Sequence, residues 1–448
     1  MVGRVADLVE IASPLALHST GRWGGKRFEV EGRVQLDRAG APGAPWQEFF
    51  IGFPETGTWS WVASAQGRWY ATSEIKNAPP LPPFGSLRPG SQVSLPGFPP
   101  LVVSEVGRRR VVSAEGELPN VAVPGAATLF ADVAGPNGIF GTFDYGDEQT
   151  IGPALYMGAQ FDPATFHLDS GQPLDAPQAA VKDCQCPNCG GNLPIVSPGT
   201  TERIVCKYCG TVSDLRQGAL AALGQAPRPP QEPYIPLGAD GTLRNLKVTC
   251  IGYVIRGTTV EGERYHWREY LLFAGTSVGY LWLMEEDGKW QFVAPLSAGD
   301  VSIAQQACVY NGQRYRLKQS VRADVEYVVG EFYWKVEIGE SVRATEYIGP
   351  AGIVSVEEAA TEVNHSLCTH LSGQEIALAF GLAPPPRPFI SSDDGGGSGG
   401  APASQFRIGW VIVVVVIILI VLAGQCSDGS SSGSSSGSFY TGPSFGGK

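Results

Sequence analysis

The hydrophobic pattern of this chain predicts strands over most of its length. Runs of β-forming residues occupy 267–273 and 279–284, and strict alternation marks another strand at 330–337. Asp287-Gly288 lies between apolar residues, which is the pattern typical of a two-residue hairpin turn. We therefore expect a mainly β fold of antiparallel sheets or small barrels with a Trp-rich interior.

One stretch of the second half favours a helix instead. Ser355-Val-Glu-Glu358 has the spacing of a capping box, and residues 359–367 can continue a helix from it. We therefore predict one late helix that begins at this point.

A segment of the chain occurs twice. Trp46-Gln-Glu48-Phe recurs as Trp267-Arg-Glu269-Tyr, and the upstream residues 28–35 match 248–255. The same register aligns three further pairs, Trp61/Trp282, Gly67/Gly288 and Trp69/Trp290. Trp is rare in this chain, so the matches indicate two copies of one domain.

The repeat and the segments around it define the predicted architecture. Two related β-rich domains flank a zinc ribbon, and one transmembrane helix follows them. The predicted boundaries are a first domain at 1–176, the ribbon at 182–215, a linker at 216–235, a second domain with the late helix at 236–383, a flexible linker at 384–407, the transmembrane helix at 408–424 and a Ser/Gly-rich disordered tail at 425–448.

The apolar run at 408–424 predicts a single membrane span. It carries no charged residue and would be about 24 Å long as a helix, which is at the short end for a bilayer core. The flexible flanks offer no sheet that it could join as a strand. Arg407 precedes the span, and residues 1–20 have no signal-peptide pattern. We expect a single-pass protein of the cell membrane, with its domains in the cytosol and a short tail outside.

Four cysteines have the spacing of a structural zinc site. Cys186 and Cys189 form one CxxC pair, Cys206 and Cys209 form the other, and a Gly follows each pair. Four thiolates around Zn²⁺ make a closed tetrahedral site that stabilises a fold. Two disulfides or a redox CxxC are the alternatives, which a cytosolic setting and the paired spacing disfavour. We expect a structural Zn²⁺ in a ribbon that fixes the spacing of the two copies.

Charge limits the class of partner. The chain has a net charge of −11, which disfavours binding to a nucleic-acid backbone. The one dense basic run, 108–110, is expected at the solvated edge of a strand, with contact to an anion or a lipid headgroup as the alternative.

The repeated Trp residues have two interpretations. They can form the core and its cross-strand pairs, or they can line a groove that binds an extended peptide or a cation such as a polyamine. A matched carboxylate beside each first Trp would suit a cation. The candidate ligand-binding residues are Trp46, Glu48, Trp61, Trp69, Trp267, Glu269, Trp282 and Trp290.

Reactive motifs are missing from the sequence. It contains no nucleophile elbow, phosphate-binding loop or dinucleotide fingerprint, and Asp144 and Asp147 look like turn residues. We name no catalytic residue and expect that the protein is not an enzyme.

Several motifs carry a family resemblance. They are Trp267-x-Glu-Tyr-Leu-Leu, Trp282-Leu, Gly288-x-Trp290, Gly330-Glu-Phe-Tyr-Trp, residues 114–119 of the first copy and the Cys-Pro-x-Cys-Gly turn of the ribbon. With these motifs the chain up to about residue 380 resembles bacterial proteins of domain-of-unknown-function family 4178. The family has no established activity, so the resemblance implies no catalytic residue. Its members resemble components of gene groups that include polyamine-synthase-like and small membrane proteins.

Two functional hypotheses follow. The first is a membrane-anchored cytosolic adaptor or scaffold that binds a protein partner through the duplicated Trp-rich domains. The alternative is a binder, sensor or enzyme for a small cationic ligand such as a polyamine.

Overall fold

The computed structural model describes residues 4–5, 13–39, 45–65, 68–120, 122–146, 152–172, 182–197, 200–216, 219–275 and 278–385. The predicted span 408–424, the tail 425–448, most of the preceding linker, Gly67 and Asp147 lie outside these residues. No helix within the described part of the chain is long and apolar enough to cross a membrane.

Strands dominate the first part of the chain. They are β1 (Arg4–Val5), β2 (Thr20–Trp23), β3 (Lys26–Arg38), β4 (Trp46–Phe53), β5 (Thr58–Ala65), β6 (Arg68–Glu74), β7 (Gln92–Val93), β8 (Leu101–Gly116), β9 (Ala127–Ala134), β10 (Ile139–Gly146), β11 (Ala154–Phe161) and β12 (Phe166–Leu168).

The cysteine-containing part and the second half continue in the same way. Their strands are β13 (Lys182–Gln185), β14 (Asn192–Ile195), β15 (Arg203–Val205), β16 (Thr211–Arg216), β17 (Ala219–Gln225), β18 (Asp240–Leu243), β19 (Leu246–Val260), β20 (Glu263–Phe273), β21 (Tyr280–Glu286), β22 (Lys289–Leu296), β23 (Val301–Ala304), β24 (Ala307–Tyr310), β25 (Gln313–Phe332), β26 (Ser341–Gly349), β27 (Gly352–Glu358) and β28 (Val363–Leu371). The helix α1 (Gly373–Phe380) follows them. Short 3-10 helices occupy Phe84–Ser86, Pro136–Gly138, Pro163–Thr165 and Ala298–Asp300.

Two eight-stranded antiparallel barrels organise these strands. The first barrel has the order β3-β4-β5-β6-β11-β10-β9-β8, and β8 pairs with β3 to close it. The second has the order β19-β20-β21-β22-β28-β27-β26-β25, and β25 pairs with β19. The strands follow the same path in both barrels, and closure removes the sheet edges. The mainly β prediction is therefore confirmed.

The irregularities of the two barrels also coincide. The β3–β4 pairing shifts register just before Gly32, and the β19–β20 pairing shifts just before Gly252. Gly32 lies opposite Gly116 in the first barrel, as Gly252 lies opposite Gly330 in the second. A Cβ atom on Gly32 would lie 2.3 Å from a backbone carbonyl oxygen, and on Gly252 2.9 Å from one. The close approach of two backbones therefore requires glycine at both crossings.

Additional elements cover the outer faces of the barrels. On the first barrel, Phe28, Phe166 and Leu168 of β3 and β12 pack over apolar residues of β4, β5 and β6. On the second barrel, Ile376 and Phe380 of α1 cover the equivalent strands. A hairpin of β23 and β24 covers part of the remaining outer face of the second barrel.

The helix predicted from Ser355 is wrong. This residue lies in β27, which pairs with β26 on one side and β28 on the other. Ile353, Val354 and Val356 are β-branched and contact the cores on both faces of the sheet, so pairing outcompetes the local capping signal. The helix starts 18 residues later, where Ser372 and Glu375 form a capping box.

The hairpin prediction at Asp287-Gly288 is confirmed. The two residues join β21 to β22, and both have positive φ, 48° and 76°. A two-residue turn of this kind matches the twist of the flanking strands.

Candidate functional site

Four cysteines converge within the four-cysteine segment, defined here as Lys182–Gln225. All four Sγ atoms lie within 4.8 Å of one another. The Sγ atoms of Cys186 and Cys209 are 3.7 Å apart, and those of Cys189 and Cys206 are 3.8 Å apart. Zn–S bonds of about 2.3 Å in a tetrahedron place neighbouring sulfurs about 3.8 Å apart, so the four thiols fit this metal. In the described part of the chain, no other group of His, Cys, Asp and Glu side chains converges in this way.

The two CxxC turns have the same backbone structure. The amide of Gly190 donates to the carbonyl of Cys186, and that of Gly210 donates to Cys206, at 2.9 and 2.8 Å. Both glycines have positive φ, which turns the chain back beneath the sulfurs. The Thr211 hydroxyl lies 3.0 Å from the Sγ atom of Cys209 and lowers the pKa of this thiol to about 6. A thiol of this kind is readily available as a thiolate ligand.

The four-cysteine segment forms part of the second barrel's sheet. Strand β15 pairs with the end of β25, and β16 and β17 extend the sheet outward. The Glu331 carboxylate accepts hydrogen bonds from the amides of Val196 and Ser197, both at 2.8 Å. The guanidinium of Arg203 donates to the Val336 carbonyl at 2.8 Å. The predicted linker 216–235 is therefore partly strand, because β17 occupies 219–225.

The interior of the second barrel is a closed core. One buried cluster draws residues from all eight barrel strands, including Trp267 and Trp282, which are 0% and 2% exposed. The indole N–H of Trp267 donates to Glu269 at 2.7 Å, and Arg256 lies 3.3 Å from the same carboxylate. Burial raises the pKa of Glu269 to about 7, although Arg256 opposes the shift. Trp290 is also buried, but in the cluster on the outer face beneath α1.

The interior of the first barrel differs in its accessibility. Trp46 and Trp61 occupy the interior positions that correspond to Trp267 and Trp282, but both are only half-buried. Trp59 and Tyr70, which share this face of the sheet, are half-buried as well. Trp69 lies on the opposite face and is 4% exposed. Of the three predicted Trp residues in this copy, two therefore line the interior and one belongs to the outer core.

Aromatic contacts form a wall inside the first barrel. The ring of Phe50 lies 5.2 Å from those of both Trp59 and Trp61, measured between centroids. Across β6 and β10, the rings of Tyr70 and Phe140 are 4.5 Å apart. These tilted pairs fix the orientation of the rings.

A charged cluster stands beside this wall. The indole N–H of Trp46 donates to Glu48 at 3.0 Å. Arg109 reaches from β8 to Glu48 on one side and to Asp144 on the other, at 3.7 and 2.5 Å, and it lies over the ring of Phe130. Burial alone would lower the pKa of Arg109, but the two carboxylates raise it above its ordinary value.

Two further groups complete the cluster. Burial raises the pKa of Asp132 to about 7, and the charge of Glu105 adds to the shift. The Thr142 hydroxyl donates to Asp132 at 2.7 Å. Burial, followed by the charge of Asp144, raises the pKa of Tyr156 to about 12. Aromatic rings and carboxylates thus share one half-buried interior.

The sequence analysis assigned the wrong setting to Arg109 and Asp144, and it did not name Asp132 or Tyr156. Arg109 is not at a solvated strand edge, because only 15% of its side chain is exposed and two carboxylates surround it. Asp144 lies within β10 and does not form a turn. The available signal was the alternation along β8, which places Arg109 on the opposite face from Arg108 and Arg110.

Comparison with known proteins identifies one domain. Residues 236–373 match the family model described as Domain of unknown function (DUF4178), which agrees with the resemblance of the second barrel. Neither the curated proteins nor the solved structures contain a match to this chain.

Proposed function

We propose that the first barrel binds a small organic cation in its interior. The observation that carries this proposal is the shared lining of half-buried aromatic rings and carboxylates, led by Trp46, Trp61, Glu48 and Asp144. The equivalent Trp and Glu residues of the second barrel are buried in its core, so we assign ligand binding to the first barrel.

The chemistry of the lining favours an organic cation over other ligands. Faces of Trp and Tyr rings attract ammonium groups, and a half-buried contact contributes about 1 kcal/mol. Glu48 and Asp144 provide two carboxylates against the single guanidinium of Arg109. A flexible ammonium compound such as a polyamine combines an apolar stem for the aromatic wall with charges for the carboxylates.

The remainder of the chain serves as a platform in this proposal. The first barrel is a diverged copy of the DUF4178 domain, as the common strand order and coincident bulges suggest. The four cysteines hold a structural Zn²⁺, and the spacing of their sulfurs supports this assignment. Residues 408–424 anchor the protein in the cell membrane with both barrels in the cytosol, as the apolar run predicts. The protein is a binder or sensor without enzymatic activity.

Calorimetric titration of the full-length protein with spermidine tests the proposal. We expect saturable binding, whereas 1,8-octanediol, an uncharged compound of similar length, should not bind. Replacing Glu48 with Gln or Trp61 with Ala should weaken spermidine binding about fivefold, since each removes a charge or a ring worth about 1 kcal/mol.

Two controls make the result specific. Glu55→Gln removes a carboxylate from an exposed turn, and Glu269→Gln removes the matched carboxylate of the second barrel. Neither should change spermidine affinity. The absence of heat at roughly 10 mM spermidine, which would saturate a site with a Kd near 1 mM, would reject cation binding. The adaptor hypothesis would then come first, and affinity capture from detergent-solubilised membranes would test it.

A further inference from the structure

The two barrels meet along a backbone junction. The amide of Val106 in β8 donates to the carbonyl of Thr361 in the second barrel at 2.8 Å. Glu105 and Glu362 form an isolated antiparallel bridge beside this bond. The Asn137 amide also donates to the Asp300 carboxylate at 2.8 Å. These contacts hold two separately closed sheets against each other.

The junction places two carboxylates directly opposite each other. Glu105 pairs with Arg38 at 2.7 Å. Glu362 is only 5% exposed, and its Oε1 atom has no hydrogen-bond partner among the described residues. Like charges at directly opposed positions destabilise a strand pair, and burying a carboxylate with one oxygen unbonded adds a further cost.

The groups around Glu362 leave its charge poorly compensated. From the second barrel it faces the carboxylate of Glu340, the phenol of Tyr333 and the amide of Asn364. From the first barrel it faces Glu105 and the guanidinium of Arg38.

Arg38 is itself shared among several acids. Besides Glu105 and Glu362, it interacts with Asp132 of β9 and with Glu202, which precedes β15 of the four-cysteine segment. Lys335 and Arg203 also act on Glu202, opposed by Asp214. One arginine thus faces four carboxylates drawn from both barrels and from the four-cysteine segment.

We infer that docking of the two barrels is coupled to uptake of a proton at Glu362, so that the junction closes at lower pH and opens as the pH rises. A neutral carboxylic acid removes the repulsion with Glu105 and the cost of burying a charge, and it can donate its proton to a neighbouring oxygen. The same chain can then hold its barrels together or release them, which provides a pH-sensitive switch between two arrangements of its domains.

The direction of the pH dependence follows from the pKa shifts of the buried carboxylates. Burial raises the pKa of Glu362 well above its ordinary value, and it raises those of Asp132 and Glu202 to about 7. A group whose pKa is higher in the docked state stabilises docking fully below its undocked pKa. That contribution is lost as the pH rises through the pKa of the group in the docked state. The docking constant then falls about tenfold per pH unit for each proton.

Hydrogen exchange of the full-length protein in detergent micelles measures the junction directly. Peptides that contain Val106 report whether its amide is bonded to Thr361. After correction for the intrinsic exchange rate, we expect their protection to fall about tenfold or more between pH 6 and pH 8. A peptide from β4, in the outer core of the first barrel that also contains Val106, serves as the internal reference. Equal protection at both pH values would overturn the inference.

Two variants assign the effect to one residue. Glu362→Gln keeps the shape of the protonated acid, so we expect protection at Val106 to persist at pH 8. Glu358→Gln removes an exposed carboxylate nearby. This variant should show the same pH dependence as the native protein. If Glu362→Gln showed the same fall in protection as the native protein, Glu362 would not be the group that takes up the proton.

Discussion

The two barrels differ most at the positions where their sequences match best. Trp282 is 2% exposed in a cluster built from all eight strands, whereas Trp61 at the matched position is half-buried. The strand order is the same in both, and the bulge before Gly32 recurs before Gly252. The backbone of this fold therefore does not determine whether its interior is closed. Side chains from more distant strands decide that.

The charges that compensate the buried carboxylate differ between the two barrels. Both contain a Trp-x-Glu hydrogen bond inside the barrel. In the second barrel the cation is Arg256 of β19, and the register places Leu36 at the corresponding point of the first. In the first barrel the cation is Arg109 of β8, and the second has Ala323 at the matched point of β25. The carboxylate at the matched position therefore pairs with an arginine in both barrels, but a different strand supplies that arginine in each.

Replacing one of the four converging cysteines should give the largest difference in stability between the two barrels. Cys206→Ser removes one thiolate, and structural zinc sites contribute on the order of 10 kcal/mol to the folding of the segment that holds them. Because β15 pairs with β25, we expect increased hydrogen exchange in β15, β16 and the end of β25, with no change in the first barrel. Native mass spectrometry should show loss of one zinc ion.

Cys184→Ser is the matched control, since this cysteine lies in the same segment but outside the converging group. It should retain zinc and native exchange. Equal zinc content in native protein and Cys206→Ser would contradict the metal assignment.

Replacing matched Trp residues with Ala tests directly whether the second interior is more tightly packed than the first. Trp282→Ala should destabilise the second barrel by about 3–5 kcal/mol, because it leaves a cavity in a packed core. Trp61→Ala should cost the first barrel about 1–2 kcal/mol, since that side chain is already partly exposed to water. Native-state hydrogen exchange in β21 and β5 measures each barrel separately. Equal losses would indicate that both interiors are closed.

Local features of this chain were predictable from sequence. The four converging cysteines occupy two short turns, so their spacing alone predicts the cluster. The hairpin at Asp287-Gly288 is equally local. The helix from Ser355 failed because its capping signal competes with strand partners on both sides, which a local pattern does not contain. Docking of the four-cysteine segment onto β25 depends on Glu331, more than 100 residues away, and was not predicted.

The candidate ligand site was only half predictable for a similar reason. The sequence match singled out one Trp and one Glu in each half of the chain, and these two do contact each other. Trp46 donates a hydrogen bond to Glu48, and Trp267 donates one to Glu269. The charged neighbours of Glu48, Arg109 and Asp144, reach the interior from β8 and β10. Pairing between strands far apart in sequence sets that arrangement, and periodicity along one strand cannot reveal it.

The pH dependence of the second barrel's stability should depend on Glu269. Its pKa is raised from an ordinary value near 4.5 to about 7 in the folded state, so the folded protein binds the proton more tightly than the unfolded chain. Stability should therefore fall as the pH rises from about 5 through 7, by up to about 1.4 kcal/mol per pH unit. Denaturant unfolding monitored by hydrogen exchange in β20 should show this slope.

Glu269→Gln should flatten the slope, since no proton is then exchanged at this position. The exposed Glu263 at the start of the same strand offers Glu263→Gln as a control that should retain it. An unchanged slope in Glu269→Gln would assign the titration to another buried acid.

The smallest expected effect concerns the covers of the outer faces. Ser372 caps α1 by accepting a hydrogen bond from the Glu375 amide, and α1 buries Ile376 and Phe380 against the second barrel. The first barrel has β12 at its outer face in place of α1. Ser372→Ala should therefore destabilise the second barrel by about 1 kcal/mol. Exchange should increase in α1 and β18 but not in β2 or β12. Ser372→Asp, which can still accept the bond, should restore most of the loss, and failure to do so would show that the cap does not hold this cover in place.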